Sequence, residues 1–279
     1  MFLIELISDA DLQDAYLGVF KTKVYTQISD AVIIDLSVGS SQSVQYKKSL
    51  YIERAAIAIL SVQNDAPANT VYISDINDVG YYESAKALLI QYNNQWIITY
   101  DNGLVGLLDV KKIQAIYVYK QKIENPFPLK KEFFDILSLL YINKFSVTDS
   151  FTPISLEKCK SIYRHPLNIQ EKANGEKNIT LPVVYTDEYG NIWFNLQKAE
   201  FENLIQNHSF EFIIPNKIIK QINKHYNEVT IGEPVLIFND IGFLELALNG
   251  ENCRTLLIPH QVGASWDNFT ILLKIKNTI

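Results

Sequence analysis

The chain has little of what marks many specialised protein classes. Only two of its 279 residues are cysteine, Cys159 and Cys253, too few for a disulfide framework and not spaced as metal ligands, though a pairing between the two stays open. The four histidines (His165, His208, His225, His260) are scattered and form no zinc motif, so no metal site is expected. Arginine occurs only at Arg54, Arg164 and Arg254, so bidentate phosphate clamps are scarce. No glycine-rich loop of the Walker or dinucleotide type is present. Lysine and arginine total 25 against 31 acidic residues, a net charge of −6, which argues against a nucleic-acid binder with its basic face. No apolar run approaches the ~20 residues of a membrane span. The opening run Phe2–Ile7 is too short for a secretory signal and carries Glu5. These absences lead to the expectation of a cytoplasmic protein with neither nucleic acid nor membrane as partner.

What is present describes a globular chain. Hydrophobic residues make up 48% and charged residues 20%, enough to bury a large core in one large or two medium domains. The first half alternates strand-like and helix-like patterns. Phe2–Ile7, Ala31–Leu36, Thr70–Ser74 and Ile113–Tyr119 read as buried strands. Asp11–Ile28, Ser49–Val62 and Leu129–Ile142 carry apolar residues at helical spacing. Ala87–Ile90 and Trp96–Thr99 read as a hairpin turning at Asn93-Asn94. Between 148 and 178 the pattern lapses into Pro, Asn, Gly and mixed charge, with Asn174–Asn178 the plainest loop. Beyond it come short runs at Val183–Thr186, Ile192–Leu196, Phe210–Ile214, Pro234–Phe238, Phe243–Leu248 and Phe269–Ile275. The expected class is α/β. Residues 1–164 are expected to form a mostly parallel sheet flanked by helices, and residues 165–279 an all-β antiparallel, barrel-like domain.

Four polar segments beside apolar strands are the candidates for chemistry. Asp9 follows the first strand, at the edge of a parallel sheet where α/β proteins bind ligands. Its carboxylate suits a ribose diol, and equally the N-cap of the helix that follows. Asp101-Asn102-Gly103 closes a strand and is also an ordinary turn sequence. Asp187–Asn191 lies between two strands, where Tyr189 and Trp193 can stack on a base and Asn191 can read its edge, or the segment is simply a hairpin turn. Gly242–Asn249 is an apolar strand interrupted by Glu245. No Ser–His–Asp set and no closely spaced carboxylate pair is visible.

Taken together and in this order, the segments resemble the S-adenosylmethionine hydroxide adenosyltransferase family, which also includes fluorinating and chlorinating enzymes. Ser8–Lys21 is similar to the family's Thr/Ser-Asp-Phe-Gly-x-x-Asp-x-Tyr-Val-Gly-x-Met-Lys opening. Ala31–Ser37 resembles its Asp-Ala-x-Ile-Val-Asp-Ile-Ser strand and Asp101–Leu104 its Pro-Asp-Asn-Gly-Leu element. Tyr185–Leu196 resembles its Ile-Asp-x-Phe-Gly-Asn-x-x-Thr-Asn segment, and Gly242–Asn249 its Gly-Tyr-Leu-Glu-Ile-Ala-Val-Asn strand. The resemblance implies a homotrimer with sites between subunits and S-adenosylmethionine as substrate or ligand, with no further cofactor. It assigns the ribose hydroxyls to Asp9 and the methionine ammonium to Asp187. Tyr189, Asn191 and Trp193 would border the adenine, with Asn249 and Gly250 completing the base pocket, and Asp101 and Asn102 would join the substrate site. Water would displace methionine at the ribose 5′ carbon.

The departures fall where the nucleophile should be activated. The family's hydroxide-using branch joins an Asp in Val-Asp-Pro-Gly-Val-Gly to a downstream Arg and a His. Here Ser74–Gly80 stands for the first motif, with Asp75 or Asp78 as the catalytic acid according to register, and Ile76 there in a third register. The Arg falls near Tyr82 or Glu83, and Leu129 stands where the His would. Lys86, Lys130 or Lys131 can supply a positive charge, and nothing selects among them. Asp11 replaces the first-loop glycine. Tyr16 stands where a halogenating relative has a small hydroxyl residue and Ile241 where it has an arginine, which argues against halogenation. Two readings therefore stand: a divergent hydrolase, and a nucleoside-binding pseudoenzyme on the same scaffold. A chance match to an unrelated two-domain protein is a third, and it expects neither a trimer nor a carboxylate after the first strand.

Overall fold

A computed structural model describes residues 1–8, 15–37, 48–76, 85–124, 127–162, 166–187, 189–206, 208–253 and 269–276. The chain divides into two compact units, Met1–Tyr163 and Arg164–Ile279.

The first unit is built on a seven-stranded mixed sheet. Its strands are β1 (Phe2–Ser8), β2 (Ala31–Ser37), β3 (Val71–Ser74), β4 (Ala87–Tyr92), β5 (Gln95–Tyr100), β6 (Ile113–Tyr119) and β7 (Phe151–Ile154), in the order β2-β1-β3-β5-β4-β6-β7. Pairing is parallel from β2 through β1 and β3 to β5, then antiparallel from β5 through β4 and β6 to β7. The change of direction comes from the β4–β5 hairpin. Asn93 and Asn94 both take positive φ (50° and 61°), the geometry that lets a two-residue turn follow the twist of its strands.

Strand β1 is buried on both faces because both faces are covered. Phe2, Ile4 and Leu6 enter a core with Leu17, Phe20 and Val24 of helix α1 (Ala15–Gln27) and Phe133, Ile136 and Leu137 of helix α3 (Glu132–Ile142). Ile7 points the other way, into a core with Ile52, Ala55, Ala56 and Ile59 of helix α2 (Lys48–Val62). Burying each such aliphatic side chain contributes about 1.5–3 kcal/mol before chain entropy is counted. The expected helix over Leu129–Ile142 begins later, at Glu132. Pro128–Lys130 forms a tight 3-10 turn, and Lys131 leaves helical backbone angles before α3 starts.

The second unit is an antiparallel, barrel-like sheet. Its strands are β8 (Asn168–Glu171), β9 (Lys177–Thr186), β10 (Ile192–Gln197), β11 (Ser209–Ile214), β12 (Lys217–Ile219), β13 (Pro234–Phe238), β14 (Phe243–Leu248) and β15 (Thr270–Lys276). They run β12-β11-β15-β9-β10-β14-β13, with β8 paired to β9. The long strand β9 serves both halves: Lys177–Pro182 pairs with β15, and from Val183 the chain pairs with β10. Pro182 at the handover and a register shift opposite Trp193–Phe194 bend the sheet around Ile179, Leu181, Phe194, Phe212, Leu244 and Leu246. The stretch expected to be irregular, 148–178, instead contributes β7 and β8. Gly175, at φ 78°, turns the β8–β9 hairpin.

Candidate functional site

In the first unit, β1, β2 and β3 end side by side on Ser8, Ser37 and Ser74. Ser8 pairs with Ser37, and Ile7 with Ser74. This carboxyl-terminal edge is where open α/β sheets present loops to ligands. Asp9, Asp11, Asp78, Tyr82 and Glu83 lie outside the described residues, so their expected roles rest on sequence. Asp75 is the first residue past β3. It is half-buried, and its N–H donates to the Ile7 carbonyl at 2.9 Å, prolonging the β1–β3 pairing by one step. Ser74 beside it is fully buried, and its hydroxyl has no hydrogen-bond partner among the described residues.

Asp101 and Asn102, expected at the substrate, are buried and joined to backbone. The Asp101 N–H donates to the Lys86 carbonyl (2.8 Å), and its Oδ1 accepts from the Lys160 N–H (2.8 Å). Asn102 Nδ2 donates to the Ile76 carbonyl (2.7 Å), while its Oδ1 accepts from the Leu104 N–H (3.0 Å). Gly103 takes φ 105°, and a Cβ there would stand 2.4 Å from Ile162 Cγ1. The turn thus requires glycine on two counts, left-handed backbone and close approach.

The basic candidates are exposed. Lys86, Lys130 and Lys131 face solvent, and the Lys130 carbonyl accepts from Lys23 Nζ. Leu129 is 3% exposed within the α1–α3 core, so this position supplies no proton-transfer group. Tyr16 stacks on Phe127, with ring centroids 4.2 Å apart.

In the second unit the turn between β9 and β10 closes on itself. Asn191 donates to Asp187 twice, from its N–H to Oδ1 (2.8 Å) and from Nδ2 to Oδ2 (2.9 Å). Gly190, at φ 85°, leaves room for Asn252, whose Oδ1 would lie 2.1 Å from an added Cβ. Tyr189 is 81% exposed. Trp193 packs against Tyr185 across the ladder, centroids 4.7 Å apart, and its indole Nε1 is buried without a hydrogen-bond partner among the described residues. The two aromatics expected to share a base therefore differ, one in solvent and one packed. Asn249 uses its Nδ2 to hold the Val229 carbonyl (2.7 Å), and Gly250 takes φ 74°.

Glu245 lies in the Gly242–Asn249 segment, and no local sequence rule assigns it a role. It is buried opposite Trp193 and accepts from the Tyr226 hydroxyl (2.7 Å) and from Asn239 Nδ2 (3.3 Å). Burial raises its carboxyl above the usual range against the pull of those two donors, and the charges of Asp187 and Asp240 add to the rise. The signal was a lone acid in an apolar strand, on the face opposite Leu244 and Leu246. Both cysteines are free. Burial pushes Cys159 up to about 11, with Asp101 adding, and Cys253 up to about 12, with Asp187 and Glu245 adding, so neither is a ready nucleophile. No group of three or more potential metal ligands occurs among the described residues. No described helix is long and apolar enough to cross a membrane.

Comparison with known proteins assigns both units. Residues 4–160 match the SAM hydroxide adenosyltransferase N-terminal domain and residues 181–262 its C-terminal domain. The chain belongs to the SAM hydroxide adenosyltransferase family. As a member of a SAM-utilising enzyme family, it carries that family's first domain on the mixed sheet and its second on the barrel strands. Two solved structures share the fold at 18% identity. An uncharacterized conserved protein from Thermotoga maritima aligns with a TM-score of 0.75 over 97% of this chain and 99% of its own. A conserved hypothetical protein from Thermus thermophilus aligns at 0.69 over 99% of this chain and 100% of its own.

Proposed function

We propose that the protein transfers the adenosyl group of S-adenosylmethionine to water, releasing adenosine and methionine. The observation that carries this reading is Asp75, a half-buried carboxylate at the carboxyl-terminal edge of the parallel strands, in a chain of this family. Water oxygen attacks the ribose 5′ carbon as the carbon–sulfur bond breaks. The sulfonium takes the bonding pair and leaves as the neutral thioether of methionine, and the water proton passes to the Asp75 carboxylate and on to solvent. The leaving group needs no acid, so the enzyme's task is to orient water in line with that bond. In the alternative register Asp78 takes this role.

Asp9 would hold the ribose diol. Asp187 would meet the methionine ammonium: a carboxylate offers about four acceptor sites, and Asn191 takes two. Tyr189, Asn191, Trp193, Asn249 and Gly250 would frame the base, with the exposed Tyr189 ring open to stacking and the Trp193 Nε1 without a partner among the described residues. The family likeness carries a homotrimer with it, which light scattering after size exclusion tests directly.

A second reading, binding without turnover, is favoured by Leu129. Its place in an apolar core stands where the hydroxide-using branch has a histidine, and loss of one preorganised polar group costs on the order of 10²–10³ in rate. Incubation with S-adenosylmethionine, followed by chromatography for adenosine and methionine, decides between them. Hydrolysis predicts both products in equal amounts, and Asp75 as the water-orienting acid predicts that Asp75→Asn lowers both at least about 100-fold with adenosine binding retained. Adenosine binding by calorimetry without product establishes the second reading. The absence of both rejects the two together.

A further inference from the structure

The turn after β5 grips the backbone at two places, Ile76 and Lys86. Asn102 Nδ2 holds the Ile76 carbonyl, and the Asp101 N–H holds the Lys86 carbonyl, so adjacent residues bind the backbone on either side of residues 77–84. Asp75 lies between two such ties. Its own N–H is fixed to the Ile7 carbonyl, and the carbonyl of the next residue is fixed to Asn102. Ile76 is buried in the α2-side core, and Asn102 is itself 5% exposed, so water does not readily replace either group. Asn102 is in turn held from behind, because its Oδ1 accepts from the Leu104 N–H. Left-handed Gly103 and its contact with Ile162 fix the turn that carries it.

We infer that Asn102 is a positioning residue for Asp75: it sets the backbone on which the water-orienting carboxylate stands, and it does not contact the nucleoside. This rests on the hydrolytic reading above and departs from the role that family likeness implies for Asn102. The chemistry asks for an amide here. One side chain must donate to a carbonyl at one end and accept from an N–H at the other, and Asn does both with a short, stiff stem. Misplacement of a reacting group by about 1 Å costs on the order of 100-fold in rate without weakening substrate binding elsewhere in the site.

The test uses Asn102→Ser, whose hydroxyl still accepts from the Leu104 N–H and is too short to reach Ile76. Asn102→Asp serves as a second variant, isosteric and with an acceptor in place of the donor. Three quantities are measured on the full chain: kcat for adenosine release, the Kd for adenosine, and hydrogen exchange at the Asp75 amide. The expected result is a fall in kcat of roughly 10–100-fold with adenosine Kd within about twofold, and Asp75 exchange at least about tenfold faster while melting stays cooperative. Unchanged Asp75 exchange in both variants overturns the inference. So does a loss of adenosine affinity in step with kcat, which makes Asn102 a ligand contact. If the unmodified protein releases no adenosine, the hydrolytic reading fails on its own. Exchange and affinity then judge the positioning: faster exchange with retained affinity supports it, and any other pattern rejects it.

Discussion

Two turns in this chain look alike on paper and are used in opposite ways. Asp101-Asn102-Gly103 and Asp187–Asn191 each follow a strand, and each combines an acid, an asparagine and a glycine with positive φ. The first turn sends its polar atoms outward to Ile76, Lys86 and Lys160, segments distant in sequence, and is buried. The second folds its polar atoms onto each other, Asn191 onto Asp187, and leaves Tyr189 in solvent. A turn of the first kind is part of the framework. A turn of the second kind keeps a carboxylate pre-shaped with acceptor capacity to spare, which is what a ligand site needs.

The contrast can be broken most sharply at its glycines. Gly103→Ala forces a strained backbone and drives Cβ into the side chain and backbone N of Ile162, so denaturant unfolding should show a loss of about 3 kcal/mol. Gly190→Ala meets the Asn252 side chain at its nearest approach rather than backbone, and about 1–2 kcal/mol is expected. Equal losses would erase the distinction. Next comes Asp101→Ala, which leaves the Lys160 N–H without its acceptor and should cost about 1–3 kcal/mol in the same measurement. Asn191→Ala should cost about 1 kcal/mol or less in stability, since only local bonds are lost, while weakening adenosine or methionine binding in calorimetry.

The smallest effect concerns pH, and again compares the two units through one buried acid in each. Burial raises the carboxyls of Glu5, on β1, and Glu245, on β14. The folded state therefore holds these protons to higher pH than the unfolded chain does. The stabilisation is full below the ordinary carboxyl range and is lost as pH rises through the raised values. Melting temperatures followed upward from about pH 4 should fall less steeply in Glu5→Gln and in Glu245→Gln than in the parent. Glu245→Gln should disturb the Tyr226 bond less than removal of the side chain, since the amide oxygen still accepts. An unchanged slope in either variant would transfer the effect to another group.

Much of the fold was legible because strong patterns had simple causes. The β1 run, the Asn93-Asn94 hairpin and the helical face of Ile52, Ala55, Ala56 and Ile59 each follow from one local rule. Strands β7 and β8 were not legible. Each is four residues long; β8 is exposed throughout and β7 buries only Phe151, too little to impose alternation. The site was readable only in outline. Motif order pointed to the family, yet no local rule says that Asn102 reaches Ile76, 26 residues back along the chain. Nor does local sequence say that Trp193 settles on Tyr185, or that Glu245 gathers Tyr226 and Asn239; such pairings are made by tertiary packing.

The two buried thiols have a practical consequence. With Cys159 held at about 11 and Cys253 at about 12, fewer than about one thiol in a thousand is ionised at neutral pH. Alkylating probes should therefore pass over both in the native chain. A single cysteine introduced at exposed Tyr189 would then take a fluorophore selectively, without first stripping the natural ones. The chain comes ready for spectroscopy: a silent background into which one reporter can be written beside the Asp187 turn.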